Sequence, residues 1–308
     1  MSVLSRPYFH DEEKAFSYLE SVLWADGAVC THCGGVDRIT KVKANPAKRI
    51  RLGLWRCGDC KGQFTVKVGT VFEHGRIPLY KMLQAVYLMT SSKKGISAHQ
   101  LHRVLEITYK SAWFLAHRIR EAMREGPLAP FGQDGGAVEV DETFIGRKKG
   151  VPVRGAYHHK MAVLGLVDRD SGRCRFFHVE KASGANVQPI VMKNLSREAR
   201  LMTDENYMYR RIGRAFAEHS SVHHARDEYV RGDVTTNSIE GAFSIFKRGM
   251  KGIYQHCAEK HLHRYLAEFE FRYSYREATG CNDTDRSTNA LRGVVGKRLT
   301  YAGPRAAN

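Results

Sequence analysis

Two pairs of cysteines constrain the fold of the first third of the chain more than any other feature. Each pair has the spacing Cys-x-x-Cys and lies in a short turn that contains glycine; the four residues are Cys30, Cys33, Cys57 and Cys60. Two thiolates at this spacing can bind one ion, and two such turns complete the closed tetrahedral site that structural zinc prefers. The cysteines therefore predict a zinc ribbon.

Disulfide bonds and a redox pair are the alternatives for these cysteines. Disulfides are typical of secreted proteins, but residues 1–21 contain the charged run Asp11-Glu12-Glu13-Lys14 instead of the apolar segment of a signal peptide. A redox motif needs only one pair, set between the strand and helix of a thioredoxin-like domain. We therefore favour zinc, and we expect the chain to work in a reducing cytoplasm.

The chain also carries a large positive charge. Its 308 residues include 49 Lys and Arg against 32 Asp and Glu, which gives a net charge of +17. The basic residues recur along the chain, as in 41–51 and 247–251, and this spread favours nucleic acid as the partner over an acidic protein or a merely basic surface. No segment approaches the ~18 apolar residues of a membrane span, so we expect no membrane partner.

The first 126 residues divide into three predicted parts: an N-terminal amphipathic helix (1–23), the zinc ribbon (24–75) and a helical region (76–126). In the helical region, Ser97 suits the start of a helix that ends at Leu105. The next helix is predicted over 110–124. Two short helices joined by a tight turn, the second one basic, predict a helix-turn-helix-like DNA-binding region. A plain helical linker is the alternative.

After a Gly- and Pro-rich boundary, the pattern changes to strands alternating with helices. Strands are predicted over 137–145, 161–167 and 174–179, and a strongly amphipathic helix over 237–248. This alternation predicts an α/β domain over residues 135–276. The remaining residues, 277–308, are predicted to be a loosely ordered polar tail.

Three acidic residues on separate elements of this domain are the candidate catalytic groups. Asp141 lies on the first predicted strand, Asp204 ends a short strand over 200–204, and Glu240 lies on the amphipathic helix. An RNase H-like sheet brings such acids to one edge, where two divalent cations can lie about 4 Å apart. Carboxylate oxygens with open coordination positions suit Mg²⁺ or Mn²⁺.

Each of these acids also has a structural alternative. Glu139 shares the strand face of Asp141 and is a possible ligand in its place. Asp204 is also placed to cap the following helix, with Glu205 as its nearest rival for the site. Glu240 has the alternative of an ordinary exposed helical acid, since most acids are solvated.

The predicted helix that carries Glu240 adds two further polar groups to the same face. Lys247 follows Glu240 by seven residues, or two turns, and Asn237 precedes it by three. A lysine is not a magnesium ligand, but it can bind a DNA phosphate near the bond that is cut. Lys247 is therefore a candidate catalytic residue.

Taken together, these segments resemble the DDE transposases of bacterial insertion sequences, and in particular the insertion-sequence 1595 family with its N-terminal zinc ribbon. The resemblance covers about residues 20–276. It depends on the order of the segments, which are the two cysteine pairs, VEVDET at 138–143, LMTD at 201–204, TNSIEG at 236–241 and HLHRYL at 261–266.

The resemblance implies an RNase H-like catalytic core in which Asp141, Asp204 and Glu240 bind Mg²⁺ or Mn²⁺, with Lys247 as the trailing basic residue. Members of the family vary the third acidic position, which makes Asn237 a secondary candidate there. The resemblance also implies binding to terminal inverted repeats and target DNA, strand cleavage followed by strand transfer, and a prokaryotic, nucleoid-associated protein. Because two DNA ends must be held together, we expect a homodimer or a higher oligomer.

Two other functions are compatible with part of the pattern. A DNA-binding regulator with a zinc ribbon and a non-catalytic α/β domain accounts for the charge and for residues 1–125. It does not account for acids on three separate elements or for Lys247. A metal-dependent nuclease that hydrolyses DNA without joining it shares the whole core, and only a strand-transfer product distinguishes the two enzymes.

Overall fold

The computed structural model describes residues 2–126, 128–153, 155 and 157–300. The helices of this part of the chain are α1 (Glu12–Leu23), α2 (Leu79–Ser91), α3 (Ala98–Leu105), α4 (Tyr109–Met123), α5 (Gly184–Asn194), α6 (Tyr207–Gly213), α7 (Asn237–Gly249), α8 (Leu262–Ser274) and α9 (Asp283–Arg292). The strands are β1 (Ile39–Lys41), β2 (Trp55–Cys57), β3 (Gln63–Phe64), β4 (Ala137–Ile145), β5 (Met161–Asp168), β6 (Cys174–Val179), β7 (Arg200–Thr203), β8 (Glu218–Ser221), β9 (Val230–Arg231) and β10 (Val234–Thr235). Within the described ranges, no helix combines the length and apolar character needed to cross a bilayer.

The chain divides into two compact units, residues 1–124 with 283–308 and residues 125–282. The first unit contains the zinc ribbon, a three-stranded antiparallel sheet in the order β1-β2-β3. Glu20 of α1 attaches this sheet to the helices, because its carboxylate accepts hydrogen bonds from Trp55 Nε1 and Lys41 Nζ, both at 2.8 Å. The ribbon and the helical region, predicted as separate parts, therefore belong to one compact unit.

The four cysteine sulfurs converge at one end of this ribbon. Sγ of Cys30 lies 3.7 Å from that of Cys60, and Sγ of Cys33 lies 3.7 Å from that of Cys57. A tetrahedron with Zn–S bonds of about 2.3 Å has sulfur–sulfur edges of about 3.8 Å. The sulfur positions therefore fit a structural zinc ion, in agreement with the sequence prediction.

Helices α3 and α4 form the predicted pair joined by a tight turn. Ser97 and Thr108 cap them, since their side chains accept hydrogen bonds from the backbone N–H groups of Gln100 and Ser111. Helix α4, which the sequence marks as basic, exposes only some of its basic residues: His117 and Arg120 are buried. The reason is that α4 packs against α2, α3 and α9, which leaves the N-terminal turn of α4 as its exposed end.

The prediction of a loosely ordered tail over 277–308 is wrong for its central part. Residues 283–292 form α9, and Ala290 and Leu291 of this helix are buried. Arg286 is also buried and donates a hydrogen bond to the carbonyl oxygen of Thr90 in α2, at 3.1 Å. The helix has few apolar residues, so its sequence pattern is weak, and residues 301–308 lie outside the described part of the chain.

The second unit is built on a five-stranded mixed sheet in the order β6-β5-β4-β7-β8. Strands β4, β5 and β6 pair antiparallel, whereas β4, β7 and β8 pair parallel. Val138 and Val140 of β4 pack with Val187 of α5 and Tyr209 of α6. Helices α7 and α8 cover the opposite face of the sheet. This is the predicted RNase H-like α/β architecture, with β8 as a strand that the sequence pattern did not reveal.

Helix α8 also closes one edge of the sheet. The backbone N–H of Cys174 donates to Ser274 Oγ at 3.1 Å, and that of Phe176 donates to Glu270 Oε2 at 3.0 Å. These are N–H groups of the outermost strand, β6, which would otherwise be open to pairing with another chain. The side chains of α8 thus pair two N–H groups of the edge strand.

Replacing Cys30 and Cys57 together by serine should remove the zinc ion, because each cysteine turn then loses one thiolate ligand. We expect zinc content to fall from about one ion per chain to near zero by atomic absorption, while the α/β unit stays folded. Cys257→Ser is the matched control, since this cysteine lies outside the cluster, and should keep its zinc. Unchanged zinc content in the double variant would contradict the assignment.

Candidate active site

The parallel pairing of β4 with β7 brings Asp141 and Asp204 to neighbouring positions. In this register Ala137 lies opposite Arg200, and Glu139 opposite Met202. Asp141 and Asp204 each lie two residues beyond that second pair, so the same register sets them opposite each other. Neighbouring strands are about 4.8 Å apart. Asp141 lies in the middle of β4 and Asp204 directly follows the carboxyl end of β7. The parallel register therefore brings the two acids to neighbouring positions, although they are far apart in the sequence.

The third candidate, Glu240, is positioned by a buried ion pair at the start of α7. Glu139 is completely buried, and one of its oxygens accepts a hydrogen bond from the backbone N–H of Ile239 at 2.9 Å. Its other oxygen accepts from Arg169 Nε at 2.7 Å. Arg169 also donates to the carbonyl oxygens of Asp233 and Thr235. Both oxygens of Glu139 are thus engaged in holding α7 against β4, which argues against Glu139 as a metal ligand.

A glycine allows α7 to approach the sheet beside Asp141. Gly165 lies opposite Asp141 on β5. A Cβ atom there would lie 2.5 Å from Ile239 Cδ1 and 2.6 Å from the Phe243 ring. Such distances are well inside van der Waals contact, so the absence of a side chain lets α7 pack directly on the strand. This packing brings the face that carries Glu240 close to Asp141.

The electrostatics show that the three carboxyl groups share one environment. Burial is the main cause that raises the pKa of Asp141, to about 8, and the charges of Glu142, Asp204 and Glu240 add to it. Burial also raises the pKa of Asp204, with smaller contributions from Glu205 and Glu240. Clustered carboxylates that repel one another suit a site for divalent cations.

The three carboxylates are nevertheless more open than a closed metal site. In the described ranges, the four cysteines are the one group whose ligand atoms all lie within 4.8 Å of one another. The side chain of Glu240 is 45% exposed, and its Oε1 accepts a hydrogen bond from Thr236 Oγ1 at 2.7 Å. Glu240 therefore lies at the solvent-exposed side of the cluster.

Lys247 lies beside this cluster, as the helical spacing predicts. Partial burial lowers its pKa, and the negative charges of Asp141 and Glu240 act in the opposite direction. Asn237, the secondary candidate, is exposed at the first residue of α7, and its backbone N–H donates to Thr235 Oγ1 at 3.1 Å. The charge of Glu240 contributes to the raised pKa of both Asp141 and Asp204, whereas Asn237 is an uncharged residue.

Glu142 and Asn206, to which the sequence assigns no role, hold the turn that carries Asp204. Glu142 accepts hydrogen bonds from Tyr209 Oη at 2.6 Å and Asn206 Nδ2 at 2.7 Å. Asn206 caps α6, and its backbone N–H donates to Asp204 Oδ1 at 3.0 Å. Asn206, rather than Asp204, is thus the helix cap, and Glu142 ties this turn to β4. The one signal in the sequence is that Glu142 follows Asp141.

His224 is the second group that the sequence does not reveal. Its Nε2 lies 3.6 Å from Glu240 Oε1 and 3.4 Å from Thr236 Oγ1. Glu205 accepts hydrogen bonds from the backbone N–H groups of His224 and Ala225, at 3.0 and 3.2 Å. Glu205 therefore holds the segment that carries His224 in place. This gives Glu205 a structural role beside Asp204. No motif or periodicity marks His224 in the sequence.

Two family models match the chain in the segments just described. The ISXO2-like transposase domain matches residues 134–274, and the transposase zinc-ribbon domain matches residues 10–63. The chain belongs to the insertion-sequence 1595 family of transposases. In this transposase the zinc-ribbon match precedes the transposase-domain match along the chain.

A relative of this transposase comes from a transposable element of Halobacterium salinarum. It is named as an uncharacterized protein in transposable element ISH50 and is 28% identical over 287 residues, which span 86% of this chain and 91% of the relative. The similarity therefore extends over both the zinc ribbon and the catalytic core.

A solved structure also aligns with this transposase, but distantly. It is titled as a simian T-cell lymphotropic virus intasome in complex with PP2A regulatory subunit B56 gamma. The TM-score is 0.30 at 14% identity, and the alignment covers 62% of this chain and 65% of that chain, slightly under two thirds. A similarity this low carries no argument about fold or function, and the fold assignment depends on the observed sheet.

In this transposase, Glu139→Gln should loosen α7, because the substitution breaks the buried ion pair that holds the start of the helix. Breaking such a pair costs about 3–5 kcal/mol. We expect the backbone amides of residues 237–249 to exchange with deuterium at least about tenfold faster, since tenfold corresponds to about 1.4 kcal/mol. The control is Glu198→Gln, at an exposed glutamate, which should leave exchange in α7 unchanged. Equal exchange rates in the two variants would show that Glu139 does not position the helix.

Proposed function

We propose that this chain cuts DNA at the ends of an insertion sequence and joins those ends to target DNA. The observation that carries the proposal is the convergence of Asp141, Asp204 and Glu240 through the β4–β7 register and the packing of α7. Membership in a transposase family supports the same reaction class. Under this proposal the three acids bind Mg²⁺ or Mn²⁺.

Bound divalent cations would activate the attacking oxygen and stabilise the leaving oxygen in an in-line displacement. In the cleavage step a water oxygen forms a bond to phosphorus, and the bond from phosphorus to the 3′ oxygen breaks to leave a free 3′-hydroxyl. In the joining step that hydroxyl attacks a target phosphate, and one phosphodiester bond replaces another. No external energy source is needed, because each step exchanges one P–O bond for another.

Two roles fall to the residues of the chain: some hold the three acids in position, and Lys247 binds the DNA. Asp141 lies on β4 and Asp204 directly follows β7, whereas Glu240 is oriented by Thr236 and by the neighbouring His224. In this proposal the Lys247 ammonium group binds a non-bridging oxygen of the phosphate that is cut.

We further propose that the first unit binds the terminal inverted repeats. The exposed surface of α3 and of the N-terminal turn of α4 presents Arg103, Val104, Tyr109 and Lys110. The N-terminal residues of the second helix of a helix-turn-helix contact base edges in the major groove. Two DNA ends must be joined in concert, so the active form is a homodimer or higher oligomer assembled on DNA, in association with the nucleoid.

Asp141→Asn, Asp204→Asn and Glu240→Gln should each abolish metal-dependent cleavage of a labelled duplex that carries the ends of the element. The loss should be about 10³-fold or more, because a few kcal/mol of transition-state stabilisation corresponds to that factor. Glu198→Gln is the control and should cleave normally. All variants should still bind the duplex in EDTA, as measured by fluorescence anisotropy. Normal cleavage by any of the three variants would remove that residue from the site.

The products of the same assay separate the proposed function from its two alternatives. A transposase converts an added target plasmid into a joined product that carries the label. A nuclease gives the cut end and no joined product, and a regulator gives a stable complex with neither. A wild-type protein that only binds, or only cuts, in Mg²⁺ and in Mn²⁺ would overturn the proposal.

A further inference from the structure

The connection between β4 and β5 carries charge of only one sign. Residues 146–160 have the sequence GRKKGVPVRGAYHHK, which contains five Lys and Arg and no Asp or Glu. Antiparallel neighbours are usually joined by 2–5 residues, so this connection is a long extension beyond the need to reverse the chain. Its composition indicates an anionic partner.

The connection begins close to the candidate active site. Asp141 lies on β4, which ends at Ile145, and Ile145 pairs with Met161 at the start of β5. At about 3.4 Å per residue, the start of the connection is about 15 Å from Asp141 along the strand, which is about four to five base pairs at the rise of a duplex. A duplex that has its phosphate at Asp141 and runs along β4 would pass this connection.

Side-chain contacts give the base of the connection a defined structure. The ring of Tyr157 stacks on that of Phe144, at 4.7 Å between centroids and 13° between planes. The Lys160 ammonium group lies 5.0 Å from the Tyr157 ring centroid. Lys148 joins the two sides, since its backbone N–H donates to the His159 carbonyl oxygen at 2.8 Å. The Lys160 ammonium group thus lies over a tyrosine ring that is itself stacked on β4.

The same lysine lies next to a residue that packs with the end of α7: Met161, which follows Lys160, shares a buried cluster with Met250, which precedes Lys251. Burial is the main cause that lowers the pKa of Lys247, and the ammonium groups of Lys251 and Lys160 lower it further. The salt bridges within the described residues give none of these three lysines a carboxylate partner within 4.0 Å. Like charges held together without a counter-charge are stabilised when an anion binds between them.

We infer that Lys160 and Lys251, with Arg147 and Lys149, form a phosphate-binding surface for the DNA that leads away from the cleavage site. We call these four residues the basic flank. The inference rests on the proposed function, because it takes the DNA to be the strand cut at Asp141. Its contacts would be with backbone phosphates, so the basic flank positions the duplex and does not read its sequence.

The test is the salt dependence of DNA binding by a Lys160→Gln, Lys251→Gln double variant. Each lost phosphate contact reduces the slope of log K against log salt concentration by about 0.9, so the double variant should lose about 1.8. Binding is measured by fluorescence anisotropy in EDTA, with one labelled duplex that carries the element ends and one of scrambled sequence. The slope should fall equally for both duplexes.

Two matched variants control for folding and for general charge. Lys193→Gln removes a lysine from α5, on the opposite face of the sheet from α7, and should leave the slope unchanged. A Lys160→Arg, Lys251→Arg double variant keeps the charges and should restore the wild-type slope. Circular dichroism melts of the four proteins should coincide, which shows that the glutamine variant is folded.

An unchanged slope in the glutamine variant would overturn the inference, as would a loss confined to the element-end duplex, since that indicates base reading. Equal loss in the Lys193→Gln variant would also overturn it, because the effect would then come from net charge. The binding assay contains no cleavage step, so its outcome is independent of the cleavage assay with Asp141→Asn. Failure of the basic flank and failure of the proposed function are therefore distinguishable.

Discussion

The buried ion pair of Glu139 and Arg169 is the interaction on which the arrangement of the candidate active site depends. Glu139 lies two residues before Asp141 on the same strand, and Arg169 follows the strand that pairs with it. Together they hold residues 233–235 and the start of α7. A buried carboxylate requires such a partner, and the pair fixes the start of α7 against β4. The position of Glu240 depends further on the close packing of α7 at Gly165 and on the hydrogen bond from Thr236.

The residues of the site could be predicted from the sequence because each lies in a locally recognisable segment. Each cysteine pair is recognised by the short spacing Cys-x-x-Cys. Asp141 lies in a segment of alternating polar and apolar residues, and Glu240 and Lys247 share one helical face. Their roles as metal ligands and phosphate binder stay predictions. The meeting of Asp141 with Asp204 depends on pairing across about 60 residues, and no local pattern encodes that register.

The features that sequence reasoning missed are those decided by tertiary neighbours. In the sequence, Glu139 lies on the same strand face as Asp141 and is therefore a possible metal ligand. Only the structure shows that its carboxylate is bound to Arg169 and to the backbone of α7. His117 and Arg120 have the spacing of an exposed face on α4, but α2 and α9 cover that helix. Helix α9 contains few apolar residues, of which Ala290 and Leu291 are buried, so its polar composition resembles that of a tail.

The central claim is that Asp141, Asp204 and Glu240 act together as ligands of divalent cations. Anomalous diffraction from crystals of the full chain soaked in Mn²⁺ measures this most directly, because the metal positions appear without reference to activity. The account predicts two manganese peaks about 4 Å apart, bound by oxygens of these three carboxylates. Manganese that binds elsewhere on the chain, with the three carboxylates directed away from one another, would contradict it.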